Sequence, residues 1–182
     1  VASHVLPTER WQALEADFKA GDAKVPDISP RRSNNSAFLI DYLDSLNSDR
    51  YLLLFSVKDE ATRHLSPDIQ KAMKSLGLSF LTADAYQYSY IAVIADGIVS
   101  YERCGNCFLQ YSGNHEKKEL YVESGGYNVG NVSSIQINGV EYSMNRRGLN
   151  IVVYDTLLDR VMGSACFDLY NEATPLFQKI ES

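Results

Sequence analysis

The segment Lys58-Asp59-Glu60 sets two carboxylates side by side just after the apolar run Tyr51–Phe55. Paired carboxylates can act as acid and base, a task that needs both groups aimed at one bond. Neighbours in a strand point to opposite faces, so Asp59 and Glu60 are expected to diverge rather than flank a substrate. Cys104-Gly105-Asn106-Cys107 has the spacing of a redox centre. It lacks the strand-to-helix setting of such centres, and a local disulfide or two reduced thiols is the favoured reading. Zinc requires four ligands, and only His115 lies near this pair, with His64 and His4 distant. Cys166 sits in an apolar stretch and reads as a buried, free, small hydrophobe. No Gly-x-Ser-x-Gly, P-loop, dinucleotide fingerprint or His-Glu-x-x-His occurs. The sequence therefore points to a non-enzyme with no cofactor and no metal.

The elements that would position these residues read as follows. Thr8, Trp11, Leu14 and Phe18, closed by Gly21, have the spacing of a short amphipathic helix. Gly21–Ser33 carries Pro26 and Pro30 without periodicity and reads as a surface linker, so residues 1–33 are taken as an N-terminal helix and linker, and 34–182 as the domain. Asn34 and Asn35 offer an N-cap to a helix over Ser36–Leu46 with an apolar stripe at Phe38, Leu39, Tyr42, Leu43 and Leu46. Tyr51–Val57 is a continuous apolar run of strand length, expected to be central and covered by helices. Ser66-Pro67-Asp68 starts another helix that Gly77 stops. A second buried strand, Tyr90–Ala95, ends at the turn Asp96-Gly97. Strand, helix and strand at this spacing favour a parallel pair. Asn138-Gly139 marks a hairpin, and Gly148–Tyr154 with Arg160–Phe167 marks a second. The fold class is α/β, a compact mixed β-sandwich of at least six strands flanked by two or three helices.

Composition narrows the partners. The chain has 17 Lys and Arg against 23 Asp and Glu, a net charge of −6. That is the wrong sign for tracking phosphates, which argues against nucleic acid, and the lone cluster Pro30-Arg31-Arg32 reads as solvated linker. The longest apolar runs, Tyr51–Phe55 and Ile91–Ala95, fall far short of a membrane span. Twelve tyrosines suit interfaces and sugar sites, although sheets use them too. The start Val1-Ala2-Ser3-His4 has no initiator Met and no apolar leader, so the chain is expected to be a piece of something larger. The sequons at Asn34 and Asn131 are as consistent with chance as with glycosylation.

Arg147-Gly148-Leu149-Asn150, its strand to Tyr154, and the returning strand ending in Phe167-Asp168 with Tyr170 resemble the opening of the interleukin-like EMT inducer domain. This is the domain of the FAM3 cytokine-like proteins, found also in the stem of a protein O-mannose N-acetylglucosaminyltransferase and beside hyaluronan-degrading modules. Tyr51–Val57 with Lys58-Asp59-Glu60-Ala61-Thr62 and the Ile69–Gly77 helix resemble a second block, and Tyr88–Gly97 is similar to that domain's last aromatic strand. In the family the Arg-Gly-Leu-Asn hairpin comes first; here it comes last. The resemblance therefore implies a circularly permuted domain or, second, the end of one copy joined to the start of another.

In glycan-binding members the resemblance implies polar ligand contacts at positions that match Asp59, Arg147 and the stretch Tyr86, Gln87, Tyr88 to Tyr90. Gln87 stands where the family has an arginine. A pyranose would use such a set well, with hydroxyls for Arg and carboxylate and an apolar face for a ring. The plainer alternative is an Arg147–Asp59 bridge between strand ends, with the tyrosines as core. The implied function is a non-catalytic, lectin-like accessory domain of a larger glycan-handling protein. Its partner is then a glycan or glycoprotein and, in the same polypeptide, a catalytic domain; its location is extracellular or lumenal. A secreted protein-interaction or signalling domain of the FAM3 kind is the other reading.

Overall fold

The computed structural model describes residues 35–171 and 177–180; the expected helix around Trp11, the linker and Asn34 lie outside them. Helix α1 spans Asn35–Ser45 and helix α2 spans Pro67–Ser75. Ten strands follow the order β1 (Tyr51–Asp59), β2 (Ser89–Ala95), β3 (Ile98–Gly105), β4 (Leu109–His115), β5 (Lys118–Gly126), β6 (Val132–Ile137), β7 (Val140–Glu141), β8 (Gly148–Asp155), β9 (Arg160–Phe167) and β10 (Phe177–Ile180).

Strand β1 is the axis. It pairs antiparallel with β2 on one side and, from Tyr51 to Lys58, with β8 on the other. Beyond its pairing with β2, its last residues, Lys58 and Asp59, pair in parallel with Gly125 and Gly126 of β5. The sheet therefore branches. One branch carries β3-β2-β1-β8-β9-β10 and the other β4-β5-β6-β7. Because side chains alternate across a strand, each face of the first branch builds its own core. Leu53, Phe55, Val57, Ala92, Ile94, Ile151 and Val153 pack under the helices with Phe38, Leu39, Leu43, Ile69 and Met73. Leu52, Leu54, Ile91, Val93 and Val152 meet Leu109, Leu120, Val122, Ile135 and Ile137 of the second branch. The result is three layers: helices, sheet, sheet.

Several sequence expectations change here. The β1 run is buried on both faces, but one face is covered by the second sheet layer rather than by helices. Strand β2 returns antiparallel, not parallel, because the chain after α2 runs back to the end of β1 before entering the sheet: the Gln87 amide lies 3.4 Å from the Glu60 carboxylate. The polar stretch after Ser100, to which the sequence assigned no elements, forms β3, β4 and β5. Helix α2 begins as expected, with the Ser66 hydroxyl accepting from the Ile69 amide at 3.2 Å and Pro67 in the first turn.

At the β8–β9 turn, Asp155 is fully buried and accepts from Arg50 Nε at 2.9 Å, Arg50 Nη2 at 2.5 Å, and the amides of Leu157 and Leu158 at 2.9 and 3.1 Å. Burial pushes this carboxyl up, but the hydrogen bonds from Arg50 and the turn amides outweigh it and hold it below the ordinary aspartate value. A depressed native value means that its stabilisation is complete above about pH 4, where the unfolded group ionises, and is lost as pH falls through the native value. Asp155→Asn should lower stability at pH 7 by about 1.5–3 kcal/mol, toward the low end because Arg50 is one-third exposed. In urea unfolding followed from pH 7 to pH 2, the gap between variant and parent should close below about pH 4.

Candidate functional site

The branch brings the sequence-predicted residues to one end of the sandwich. Lys58 faces Gly148 in the β1–β8 ladder, so Asp59 and Arg147 are the next residues beyond it on adjoining strands. Gly148 has φ +112°, and a Cβ there would fall 2.1 Å from the Phe167 carbonyl oxygen. Only glycine lets β8 begin there and leaves Arg147 at the rim. Gly126 has the same role opposite, since a Cβ would meet the Gln87 carbonyl oxygen at 2.0 Å. It lets β5 close onto the Tyr86–Tyr88 loop.

Arg147 does not bridge to Asp59, as the plainer sequence alternative had it. Its Nε and Nη2 donate to Asp168 Oδ2 at 3.0 and 2.8 Å, and its guanidinium carbon lies 4.8 Å from the centre of the Tyr170 ring. Asp168 is buried and also caps the amides of Tyr170 and Asn171 at 2.9 and 3.0 Å, so it has no capacity left for a ligand. The hydrogen bond to Asp168 raises the Arg147 value. Arg63 lies 4.9 Å from the same Tyr170 ring, so Tyr170 contacts two guanidinium groups.

Asp59 differs from Asp168. It is partly exposed, holds φ +66°, and its carboxylate makes no hydrogen bond among the described residues, while its carbonyl accepts from the Tyr127 amide at 3.0 Å. Desolvation raises its carboxyl above the ordinary aspartate value, with Arg147 pulling the other way. Glu60 turns inward and is 1% exposed. It accepts from the amides of Thr62 and Arg63 at 2.8 and 2.9 Å and from the Thr62 hydroxyl at 2.5 Å. The two carboxylates diverge, one organising the loop and the other open.

The aromatic stretch is divided in the same way. Tyr86 is 51% exposed and Gln87 half-buried at φ +60°, its side chain accepting from Asn128 at 3.3 Å. Tyr88 packs on the helix-side core, and Tyr90 is fully buried with its hydroxyl donating to Glu102 at 2.7 Å. Tyr127, 55% exposed, adds an aromatic ring that the sequence reading did not include. Asp168, Tyr170, Arg63 and Tyr127 were the residues missed. The pairing of Leu149 with Phe167 would have found Asp168, since it places the next acid beside the Arg147 end.

Residues 20–98 match the family model described as interleukin-like EMT inducer. Over this segment the chain is similar to that family. The match takes in α1, β1, α2 and β2, including Asp59 and Gln87, and the Arg147–Tyr170 hairpin lies outside it. No curated protein matches the chain, and no solved structure does.

The thiols are free, with Cys107 exposed, Cys104 half-buried and Cys166 buried. Cys104 lies at the β3 end that pairs with Tyr90, whereas His115 ends β4, a strand length of roughly 20 Å away from Cys107, and pairs with Asp96 at 3.2 Å. Desolvation, with Glu102 and Cys107 nearby, pushes the Cys104 thiol up to about 11, the opposite of an activated cysteine. Among the described residues no His, Cys, Asp and Glu side chains group as a metal site, and no helix is long and apolar enough to cross a membrane.

Two outcomes follow. Iodoacetamide at pH 8 should label Cys107 first, Cys104 slowly and Cys166 only on unfolding, as read by peptide mass mapping; native labelling of Cys166 at the Cys107 rate would contradict its burial. Glu60→Ala should cost about 3 kcal/mol or more in urea unfolding, because the Thr62 and Arg63 amides lose a charged acceptor in a buried setting.

Proposed function

We propose that this domain binds carbohydrate, without catalysis, at the surface formed by Asp59, Arg147, Gln87 and the exposed rings of Tyr86 and Tyr127. The observation that carries the reading is the state of Asp59. It is an ionisable acceptor held at a positive φ, uncommitted among the described residues and beside a cation fixed by another acid. A sugar hydroxyl pair would satisfy it, and an exposed tyrosine would cover the apolar sugar face. Nothing in the cluster pairs a nucleophile with a base, since Glu60 is saturated by the loop. The match of residues 20–98 to the family model supports the same reading, with the domain serving as an accessory module of a larger glycan-handling protein on the extracellular or lumenal side. The partner is a glycan or glycoprotein, next to a catalytic domain in the same polypeptide.

The chain is read as a permuted form of that domain. Strands β8 and β9 supply the neighbour that β1 lacks on its other side, whichever end of the chain they come from.

A glycan array selects the sugar, and calorimetric titration then compares the parent with Asp59→Asn. Asparagine is the suitable replacement because it tolerates φ +66° better than alanine. Affinity should fall by about 1–3 kcal/mol, roughly 5- to 150-fold. Stability should change by no more than about 1 kcal/mol, since the Asp59 carboxylate makes no hydrogen bond among the described residues and its main-chain bond to Tyr127 is kept. Burial holds the Asp59 carboxyl above its ordinary range, so sugar binding should weaken on acidification before ordinary aspartates protonate. Unchanged affinity with a large loss of stability would make the residue structural and leave the protein-interaction reading.

A further inference from the structure

The other end of the sandwich holds a cleft of about 900 Å³ between the tips of the β4–β5, β6–β7 and β8–β9 hairpins. It opens at the Tyr51 end of β1, roughly 25 Å from Asp59 by strand length, so it is separate from the sugar-site candidate. Its volume is in the range of small-molecule sites.

The lining has a definite chemistry. Ile137, Val161 and Tyr154, all buried, form an apolar floor that continues the inter-sheet core. Lys118 is 8% exposed. Its ammonium sits 4.8 Å from the centre of the Tyr154 ring and 3.4 Å from Glu116 Oε2. Asp159 is occupied by the Tyr154 hydroxyl, which donates to it. Glu116 is thus paired with Lys118, and Asp159 is hydrogen-bonded by Tyr154 while keeping its charge, so the three cations of the cleft outnumber its two acids. Lys117 and Arg160 are exposed and carry no ion pair among the described residues. In a chain of net charge −6, this cleft gathers three cations around an aromatic, apolar floor and leaves two of them without an acid.

We propose that this cleft binds a small organic anion: a carboxylate, sulfate or sulfonate carried on a ring or short apolar body. The body lies over Tyr154 and Val161, and the charged group meets Lys117 and Arg160. Arg160 supplies a fork for two oxygens of one anionic group. Lys118 is held back by Glu116 and Tyr154 and adds a fixed positive charge at the floor. A neutral ligand of the same shape would leave the two cations unanswered, and an inorganic anion alone would leave the apolar floor wet.

The test uses a matched pair of fluorescent probes, anilinonaphthalene sulfonate and N-phenylnaphthylamine, which share the ring system and differ by the sulfonate. The sulfonate probe should bind saturably with one molecule per chain, and the neutral probe at least tenfold more weakly. Lys117→Glu/Arg160→Glu should weaken the sulfonate probe by tenfold or more. A charge-matched control, Lys71→Glu/Arg103→Glu, alters exposed cations away from the cleft and should leave its affinity within twofold. Thermal melts confirm that both variants fold. Equal binding of the two probes, or equal loss in both double variants, would overturn the proposal. Neither result depends on whether Asp59 binds sugar.

Discussion

The structure depends on how main-chain groups are satisfied where β2 and β5 both reach β1. Beyond the β2 pairing and before the short parallel contact with β5, the regular ladder has run out, and buried N–H and C=O groups there need other partners. Serine hydroxyls supply them. Ser124 donates to the Val57 carbonyl at 2.5 Å and accepts from the Tyr90 amide at 2.9 Å. Ser56 donates to the Glu123 carbonyl at 2.5 Å, and Ser89 accepts from the Gly126 amide at 2.9 Å. All three serines are buried. Without them the second sheet layer could not leave the first, and the core between Leu54 and Val122 would have no second wall.

That branch also decides where recognition can occur. Once β5 has crossed onto β1, the strand ends there cannot extend the ladder, so their side chains and the loops after them face solvent. Glu60 and Asp168 are buried acids that tie those loops down, each accepting several amides. Their charge is consumed inside the fold. Asp59, one residue from Glu60, and Arg147, held by Asp168, are what the same scaffold leaves at the surface. Division of labour between the adjacent acids follows from the end of β1: at φ +66° Asp59 turns the chain out of the strand, leaving its own side chain at the surface while Glu60 is buried.

Much of this was legible in the residues. The apolar runs at Tyr51 and Tyr90, the Ser66-Pro67 cap and the Asn138-Gly139 turn each carry a local signal strong enough to survive tertiary context. Strands β3 and β4 did not, because each is an edge strand largely open to solvent, with few apolar residues to alternate; Tyr101 and Tyr111 meet as tilted rings 4.6 Å apart. The direction of β2 was missed because strand–helix–strand spacing says nothing of the return loop that Glu60 pins. At the site, Asp59 and Arg147 were found by motif, but the partner of Arg147 was not. Asp168 is distant in sequence, and only the register of β8 with β9 places it there. The serines of the branch carry no periodic signal at all.

The two ends of the sandwich are chemically unlike, and the reason is topological. At the Asp59 end three layers converge, so main-chain groups crowd together, glycine is required at positions 126 and 148, and polar side chains are spent on satisfying the backbone. At the Tyr51 end the layers part into hairpins whose turns are closed by short local bonds: Asn138 accepts from the Glu119 amide of neighbouring β5 at 2.9 Å, and Asp155 caps its own turn. Space opens between the tips, the inter-sheet core shows at its base, and charges such as Lys117 and Arg160 remain for a ligand to neutralise. A sandwich joined at one end only has one convergent face, where polar side chains are spent on the backbone, and one divergent face, where a cleft opens between hairpin tips.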